Sequence, residues 1–485
     1  MNKNNAFLIK SKGYYNHIFN MRSLTCIFSL LTGFGISLPT QALISATTAS
    51  TIQGNGPKLW LNDAEATLVD MLNITTPDGT VYTTLTKPTY IDVPIGTKFS
   101  DFMVNLTPDN TVQTIPLTWG KDVDGDTIAS ISGALVGKWT DASGNVITSL
   151  DDNMNICAAP YRLQLSAGDA TTRVVVNSAY GDPLTSDYAY RSVTYLVSMT
   201  GDYSCYLKPA QMNVSAVTTL TDGSSAGGYN SAVFTTNKGF IRDKTTFPTT
   251  AFHGAKFQMV MASGTQTDYH YRVEINGINV ADTSGAGTQS KEIEVDANGN
   301  FTFMKKPTKG SWPATVKYIA YSKANPASEV VHTSTVRLWF HNADVFDPTY
   351  FTNNTNNRAY FSEAAAYCTA KGGRLPLRSE FVQASYADNS LYPAGSGNPA
   401  AAFSNIPPYR DASAANPKSV NLSSEWGQGG TFLTAYPLSE MRTGQWTGEL
   451  LKADGTTIWG YSASGSSTLS KYSGTTGAFG AVCIL

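Results

Sequence analysis

The sequence is poor in charge. Asp, Glu, Lys and Arg make up 14% of its 485 residues, against about 25% in an average soluble domain. Basic and acidic residues nearly cancel, 34 against 36, and no basic block occurs. That argues against nucleic acid as a partner, because such binders draw much of their affinity from Lys and Arg set against phosphates. Histidine is scarce, and His253, His270, His332 and His341 fall singly, without the His-x-x-x-His spacing of a metal-hydrolase helix. Cysteine is scarce too, at five, and none of the spacings is Cys-x-x-Cys, which sets zinc and thiol-redox readings aside. Beyond the first forty residues no apolar run is long enough to span a bilayer as a helix, so the mature chain is expected to have no transmembrane segment.

What remains is apolar and hydroxyl-rich. Hydrophobic residues reach 41%, enough for real cores, and the chain carries 41 Gly and 25 Tyr. Low charge with abundant Gly, Tyr, Thr and Ser points to an extracytoplasmic, β-rich protein. At about 150 residues per domain the length suggests about three domains.

The N-terminus reads as a secretory leader. Lys3, Lys10, Lys12 and Arg22 precede an apolar stretch from Leu24 to Leu38, followed by Pro39 to Ala42. A positive start, a short apolar run and a small residue at the cut describe a signal peptide over residues 1–42. The run contains Gly33 and Gly35 and falls short of the roughly 20 residues of a spanning helix. Loss of the leader removes Cys26 and leaves Cys157, Cys205, Cys368 and Cys483, which allow three pairings. Pairing neighbours, Cys157 with Cys205 and Cys368 with Cys483, closes each bridge inside one region.

Residues 43–214 read as short strands between turns, with period-two stretches at Lys58–Leu61 and Tyr161–Leu165. Residues 215–228 are expected to be a linker, since 221–228 are rich in Gly and Ser. Residues 229–340 form a second β-rich region with clear strands at Phe257–Val260, Tyr271–Ile275 and Val316–Tyr321. Asp296–Asn300 signals a hairpin there, and the strand-turn spacing suggests an immunoglobulin-like sandwich. Residues 341–485 differ. An Ala-rich helix from Ser362 to Lys371, with Ser362 as N-cap and Gly372-Gly373 as stop, carries Cys368. A second helix is expected from Ser379, followed by Gly- and Ser-rich loops and a last strand carrying Cys483. The fold expectation is mainly β and multidomain, with a C-terminal α+β module of C-type-lectin-like type.

Several strings carry a family resemblance. Gly372-Gly-Arg-Leu-Pro376, Ser424-Glu-Trp-Gly427 and Cys483 resemble the C-terminal lectin-like domain of invasin/intimin-type bacterial adhesins. Phe247-Pro-Thr-Thr250, Gly254-Ala-Lys-Phe257 and Arg337-Leu-Trp-Phe340 resemble the immunoglobulin-like domain before it. Trp119 to Asp126, Ile156 to Tyr161 and Cys205 resemble the adhesion domain of some such proteins. The resemblance implies cell adhesion and a place in virulence, on the surface of a Gram-negative bacterium, secreted from it or in its periplasm. One departure stands out: the leader runs directly into the first β region, leaving no room for the family's usual outer-membrane β-barrel.

Candidate chemistry is sparse. Asp122, Asp124 and Asp126 alternate around Gly125 and could offer oxygens to a structural Ca²⁺, against the plainer reading of a solvated acidic turn. Gly223 to Gly227 formally matches G-x-S-x-G, but lies between loop-like neighbours rather than a strand and a helix. Glu425 beside Trp426 could be a carboxylate in an apolar pocket, without an identifiable partner. Trp426, Trp446 and Trp459 could stack on a ligand or fill a core. The Glu-Pro-Asn, Gln-Pro-Asp and Trp-Asn-Asp strings of calcium-dependent sugar-binding lectins do not occur, which favours protein recognition by exposed loops, foremost Tyr386 to Tyr409.

The expectation is a non-enzymatic adhesin-like protein that binds a host cell-surface protein or glycoconjugate through residues 341–485. Three alternatives stand beside it: a calcium-independent glycan binder, a structural or assembly component with a partner in the bacterium's own outer membrane, and a secreted hydrolase.

Overall fold

The computed structural model describes residues 54–485 except 169–172, 215, 220–224, 344–348, 352–358, 382–408, 414–420, 428–431, 440–443, 454–457, 465–468 and 474–479. The leader assigned to residues 1–42 lies outside the described residues. So do Gly223 and Ser224 of the G-x-S-x-G string, and residues 386–408 of the expected recognition segment.

The first region is built on one main sheet. Its strands are β1 (Ile91–Pro94), β2 (Asp109–Thr114), β3 (Ile128–Ser132), β4 (Ala134–Thr140), β5 (Tyr161–Ala167), β6 (Val174–Ser178), β7 (Thr185–Tyr188) and β8 (Arg191–Thr200). The main sheet runs β1-β8-β5-β4-β2, and a smaller one runs β7-β6-β3. All these pairings are antiparallel except β8 with β1. Alternation drives it: β5 and β4 bury every second side chain, so Leu163, Leu165 and Trp139 enter one core with Tyr195 and Val197 of β8. Phe99 and Phe102 close edge-on over Trp139, with ring centroids 5.3 and 5.2 Å away. Each fully buried aliphatic side chain in such a core contributes about 1.5–3 kcal/mol.

The second region is a two-sheet sandwich. Its strands are β9 (Ser204–Pro209), β10 (Phe234–Thr235), β11 (Gly239–Ile241), β12 (Thr250–Phe252), β13 (Lys256–Met261), β14 (Tyr269–Ile275), β15 (Ile278–Asp282), β16 (Ile293–Val295), β17 (Asn300–Phe303), β18 (Ala314–Ser322) and β19 (Glu329–Val336). One sheet runs β10-β11-β9-β13-β17-β16 and the other β15-β14-β18-β19. Their inner faces meet through aromatic rings: Phe257 and Phe301 of the first sheet lie edge-on to Tyr318 of the second, at 5.0 and 5.2 Å. The hairpin read from Asp296 to Asn300 is present, since the Asp296 carboxylate accepts from the amides of Asn298 and Asn300 and closes the turn between β16 and β17.

The third region contributes β20 (Leu338–Asn342), α1 (Phe361–Ala370), α2 (Leu422–Trp426), α3 (Phe432–Ala435), β21 (Gly444–Ala453), β22 (Ile458–Ser464), β23 (Leu469–Ser473) and β24 (Val482–Ile484). β21, β22 and β23 form a sheet of their own. The helix expected from Ser362 starts one residue earlier, and Tyr360 is its N-cap. The Glu363 carboxylate accepts the Tyr360 amide at 3.0 Å. The helix expected from Ser379 is a single turn, Arg378–Phe381.

Three connections differ from the sequence reading. β9, grouped there with residues 43–214, hydrogen-bonds to β13 and β11 of the sandwich. The Cys157–Cys205 bridge therefore does not close inside one region; it ties the first region to the sandwich. The expected linker is not wholly loop, because Thr218–Thr219 pairs with Ser225–Ala226. At His341 composition changes but the core does not. β20 lies between β12 and β24, and one apolar cluster runs from Leu207 to Ile484. Alternation announces a strand, but leaves open which sheet will take it.

Candidate functional site

The seam between the sandwich and the C-terminal region holds the densest buried polar chemistry among the described residues. It is built around α2. Asn421 caps the helix by accepting the Ser424 amide at 2.9 Å, and all five helical residues are buried. Gly427 ends it at φ +100°, where a Cβ would overlap Gln211 Oε1. Only glycine allows that approach.

Glu425 points from α2 onto the start of β12. Its carboxylate accepts the Thr249 amide at 2.9 and 3.1 Å and the Thr249 hydroxyl at 2.5 Å. It also accepts the Thr250 amide at 2.8 Å and the Thr250 hydroxyl at 2.6 Å. Burial pushes its pKa up to about 6, while these four donors oppose the shift. A carboxylate so fully occupied has no lone pair directed at a substrate. It is fully buried, and its role is to join two chain segments.

Arg410 completes the seam. Its guanidinium donates to the Gln211 carbonyl at 3.0 Å and the Ser423 carbonyl at 3.4 Å, and it lies over the rings of Phe234 and Phe240 at 4.9 and 5.4 Å. Burial lowers its pKa to about 10, with the charge of Glu425 among the influences opposing that. Its backbone also pairs with the segment after the expected linker: the Arg410 amide donates to Gly228, and Asn230 donates back to Arg410. The Tyr436 hydroxyl accepts the Gln211 amide and donates to the Trp426 carbonyl.

Two of the three tryptophans read as ligand-stacking candidates, Trp426 and Trp446, belong to the core. Trp426 is fully buried, its indole N–H donates to the Thr250 carbonyl at 3.0 Å, and Phe247, Phe252 and Tyr436 surround its ring. Trp446 is also fully buried, donating to the Ala359 carbonyl at 2.8 Å with its ring edge-on to Phe361. Domains rich in Gly and Ser need large apolar side chains inside, and these two serve there rather than on a surface. The Trp459 side chain lies outside the described residues.

The acidic turn does not assemble as a metal site. Asp122 accepts the Asp124 amide at 3.0 Å, while the Asp124 carboxylate turns to the backbone and side-chain amides of Asn55. Among the described residues no group of three or more His, Cys, Asp or Glu is placed to hold a metal ion. Ser225 stands in its two-residue strand with bends rather than a helix after it, so the strained strand-to-helix elbow that activates such a serine is missing. His332 is buried and donates through Nε2 to the Phe247 carbonyl at 2.6 Å. Burial lowers its pKa to about 4.

The cysteines pair as neighbours, Cys157 with Cys205 and Cys368 with Cys483. The second bridge pins α1 to β24. Beside it Gly373 packs so closely that a Cβ would overlap the Ile484 carbonyl oxygen.

The strings singled out in the sequence thus meet in space. Phe247 to Thr250 receives Ser424 to Gly427, and Gly254 to Phe257 flanks β12, which pairs in parallel with the strand begun at Leu338. Gly372 to Pro376 meets the terminal strand through Arg374 and Ile484. Sequence reasoning missed Arg410, Gln211 and Tyr436, whose partners are 10 to 225 residues away. No local pattern marks them.

No protein-family model matches the chain, and no curated protein matches it in sequence. Among solved structures it is similar to invasin, described as a bacterial integrin-binding protein, at 14% identity and TM-score 0.32. That match covers 76% of this chain and 74% of the other. It is also similar to the SGBP-B protein of a Bacteroides ovatus mixed-linkage glucan utilization locus, solved with a heptasaccharide. There the identity is 10% and the TM-score 0.13, over 44% of this chain and 64% of the other. Likeness of this degree leaves function to be argued from the chain's own residues.

Proposed function

We propose that this is an extracytoplasmic adhesin-like protein that binds a host cell-surface protein or glycoconjugate through residues 341–485. The observation that carries the reading is the seam around Glu425. Two regions joined by a shared core, a saturated buried carboxylate and a bridged terminal strand make a firm scaffold for the C-terminal region, and a preorganised scaffold suits recognition. The mainly β, twice-bridged architecture and the low charge fit the same setting. The segment 386–409, rich in Pro, Asn, Ser and Ala, is the recognition loop of this reading.

Deleting residues 341–485 is a poor test, because it strips Trp426, Tyr436 and β24 from the core they share with the sandwich. The informative comparison is the full chain against a variant whose residues 386–408 are replaced by a Gly-Ser linker of equal length. The expected result is saturable binding of the full chain to cultured host cells, lost in the variant at an unchanged melting temperature. Equal binding by both would move recognition elsewhere on the chain. Failure of the full chain to bind any cell type would overturn the host-adhesin reading and favour a partner on the bacterium's own surface.

A further inference from the structure

Two clefts lie at the seams of the sandwich, and they differ in charge. The one beside the Cys157–Cys205 bridge, about 590 Å³, contains Lys238, Asp243 and Lys244. Its carboxylate is already engaged, with the Tyr203 hydroxyl and with Arg242. The other, about 340 Å³, opens where the sandwich meets the C-terminal region. It is lined by His253, Lys305, Lys306, His341 and Asn342 over a floor of Trp339 and Phe340, with Leu438 at its lip. Among the described residues it has two lysines, two histidines and no carboxylate.

The cleft is preformed. Gly254, at φ +83°, brings its turn so close to Leu438 that a Cβ would stand 2.6 Å from the Leu438 Cβ. The Met304 carbonyl fixes His253 through Nδ1 at 2.8 Å. A carbonyl only accepts, so Nδ1 carries the hydrogen and Nε2 is left for another partner. The Lys306 ammonium sits 4.5 Å from the centre of the Trp312 ring, and neither Lys305 nor Lys306 joins an ion pair among the described residues. Burial lowers the pKa of Lys306. It lowers that of His341 as well, and the nearby charge of Lys371 adds to the effect. Two lysines thus face one concave site with no carboxylate among its described lining residues.

We infer that this cleft is a binding site for an acidic saccharide, taking the carboxylate or sulfate group of one sugar unit at Lys305 and Lys306 and a sugar hydroxyl at His253 Nε2. Its volume lies at the small end of ligand pockets, which begin at about 300 Å³. An acidic protein partner is the less favoured occupant, because a stable protein interface needs about 1,000 Å² with apolar anchors. Among the described residues of this lining, Leu438 is the only large hydrophobic side chain exposed. The assignment does not rest on host-cell binding by segment 386–409.

The test is calorimetric titration of the full chain with a hyaluronan tetrasaccharide, a heparin disaccharide, neutral cellotetraose and a ten-residue polyglutamate. Saturable binding of either acidic saccharide, weaker at high salt and absent with cellotetraose, is expected. The double variant Lys305→Gln/Lys306→Gln should weaken it about tenfold or more. The single exposed change Lys305→Glu should weaken it too, at an unchanged melting temperature. Equal binding of cellotetraose, binding of polyglutamate alone, undiminished affinity in both variants, or no binding of either acidic saccharide would each overturn the assignment.

Discussion

Glu425 and Thr250 meet twice, through the Thr250 amide at 2.8 Å and its hydroxyl at 2.6 Å, across 175 residues of chain. Thr249 repeats the arrangement on the same carboxylate. A short helix of the C-terminal region and the start of a sandwich strand are thereby fixed to each other by a group with no freedom to do anything else.

Removing that carboxylate should destabilise the whole chain, not the C-terminal region alone. Glu425→Ala leaves four buried donors without an acceptor and should cost about 3 kcal/mol or more, while Thr249→Val, which removes one hydroxyl, should cost about 1–2 kcal/mol. Denaturant melts followed by fluorescence check both. A Glu425→Ala variant as stable as the parent would show that the seam is held by its apolar contacts.

Two buried groups pull the pH dependence in opposite directions. The folded pKa of Glu425, about 6 against an ordinary 4.5, means the folded state takes up its proton first. Its contribution is full below pH 4.5 and is lost as pH rises through 6, about 2 kcal/mol in all. His332, about 4 against 6.5, stays neutral when folded while the unfolded chain protonates. Its contribution is full above pH 6.5 and is lost as pH falls through 4, about 3 kcal/mol. Acidification from pH 6.5 to 4.5 should therefore weaken the Glu425→Gln variant more steeply than the parent. His332→Gln should reverse the sign of the slope. Melts across that range decide it.

Much of the fold is legible in the sequence, and the limit has a physical form. Tyr271 to Ile275 alternates and falls in β14, and Val316 to Tyr321, apolar throughout its second half, falls in β18. Asp296 and Asn300 mark their hairpin because turn chemistry is local. Glu425 beside Trp426 is visible as a carboxylate among apolar residues, yet the pair itself says nothing of Thr249 and Thr250. The same blindness makes Trp426 and Trp446 candidates for a surface, since an aromatic residue between Gly and Ser reads alike in a core and in a loop. Arg410 carries no local signal at all, because its partners Gln211 and Phe234 come from another region.

The two bridges should stabilise differently in kind. They close 48 and 115 residues, and chain entropy alone sets upper values of about 4 and about 5 kcal/mol. Cys157→Ser/Cys205→Ser cuts the tie between the first region and β9. Hydrogen exchange in that variant should accelerate on both sides of the joint, in residues 154–161 and 203–207. Cys368→Ser/Cys483→Ser should accelerate exchange in α1 and β24 and leave the first region protected. Exchange confined to 154–161 in the first variant would place Cys205 outside the joint.

Two glycines separate close approach from backbone strain. Gly144 has φ +88° with nothing within 4 Å of an added Cβ, so Gly144→Ala should cost only the left-handed penalty, about 1 kcal/mol. Gly427, at φ +100°, would drive its Cβ into Gln211 Oε1 and set it 3.1 Å from an Arg410 guanidinium nitrogen. Gly427→Ala must therefore also displace the buried Gln211 side chain and crowd the Arg410 guanidinium, and about 3 kcal/mol is expected. If the two variants melt alike, α2 can move away from Gln211 without loss. The rigid seam on which C-terminal presentation depends would then be looser than its hydrogen bonds imply.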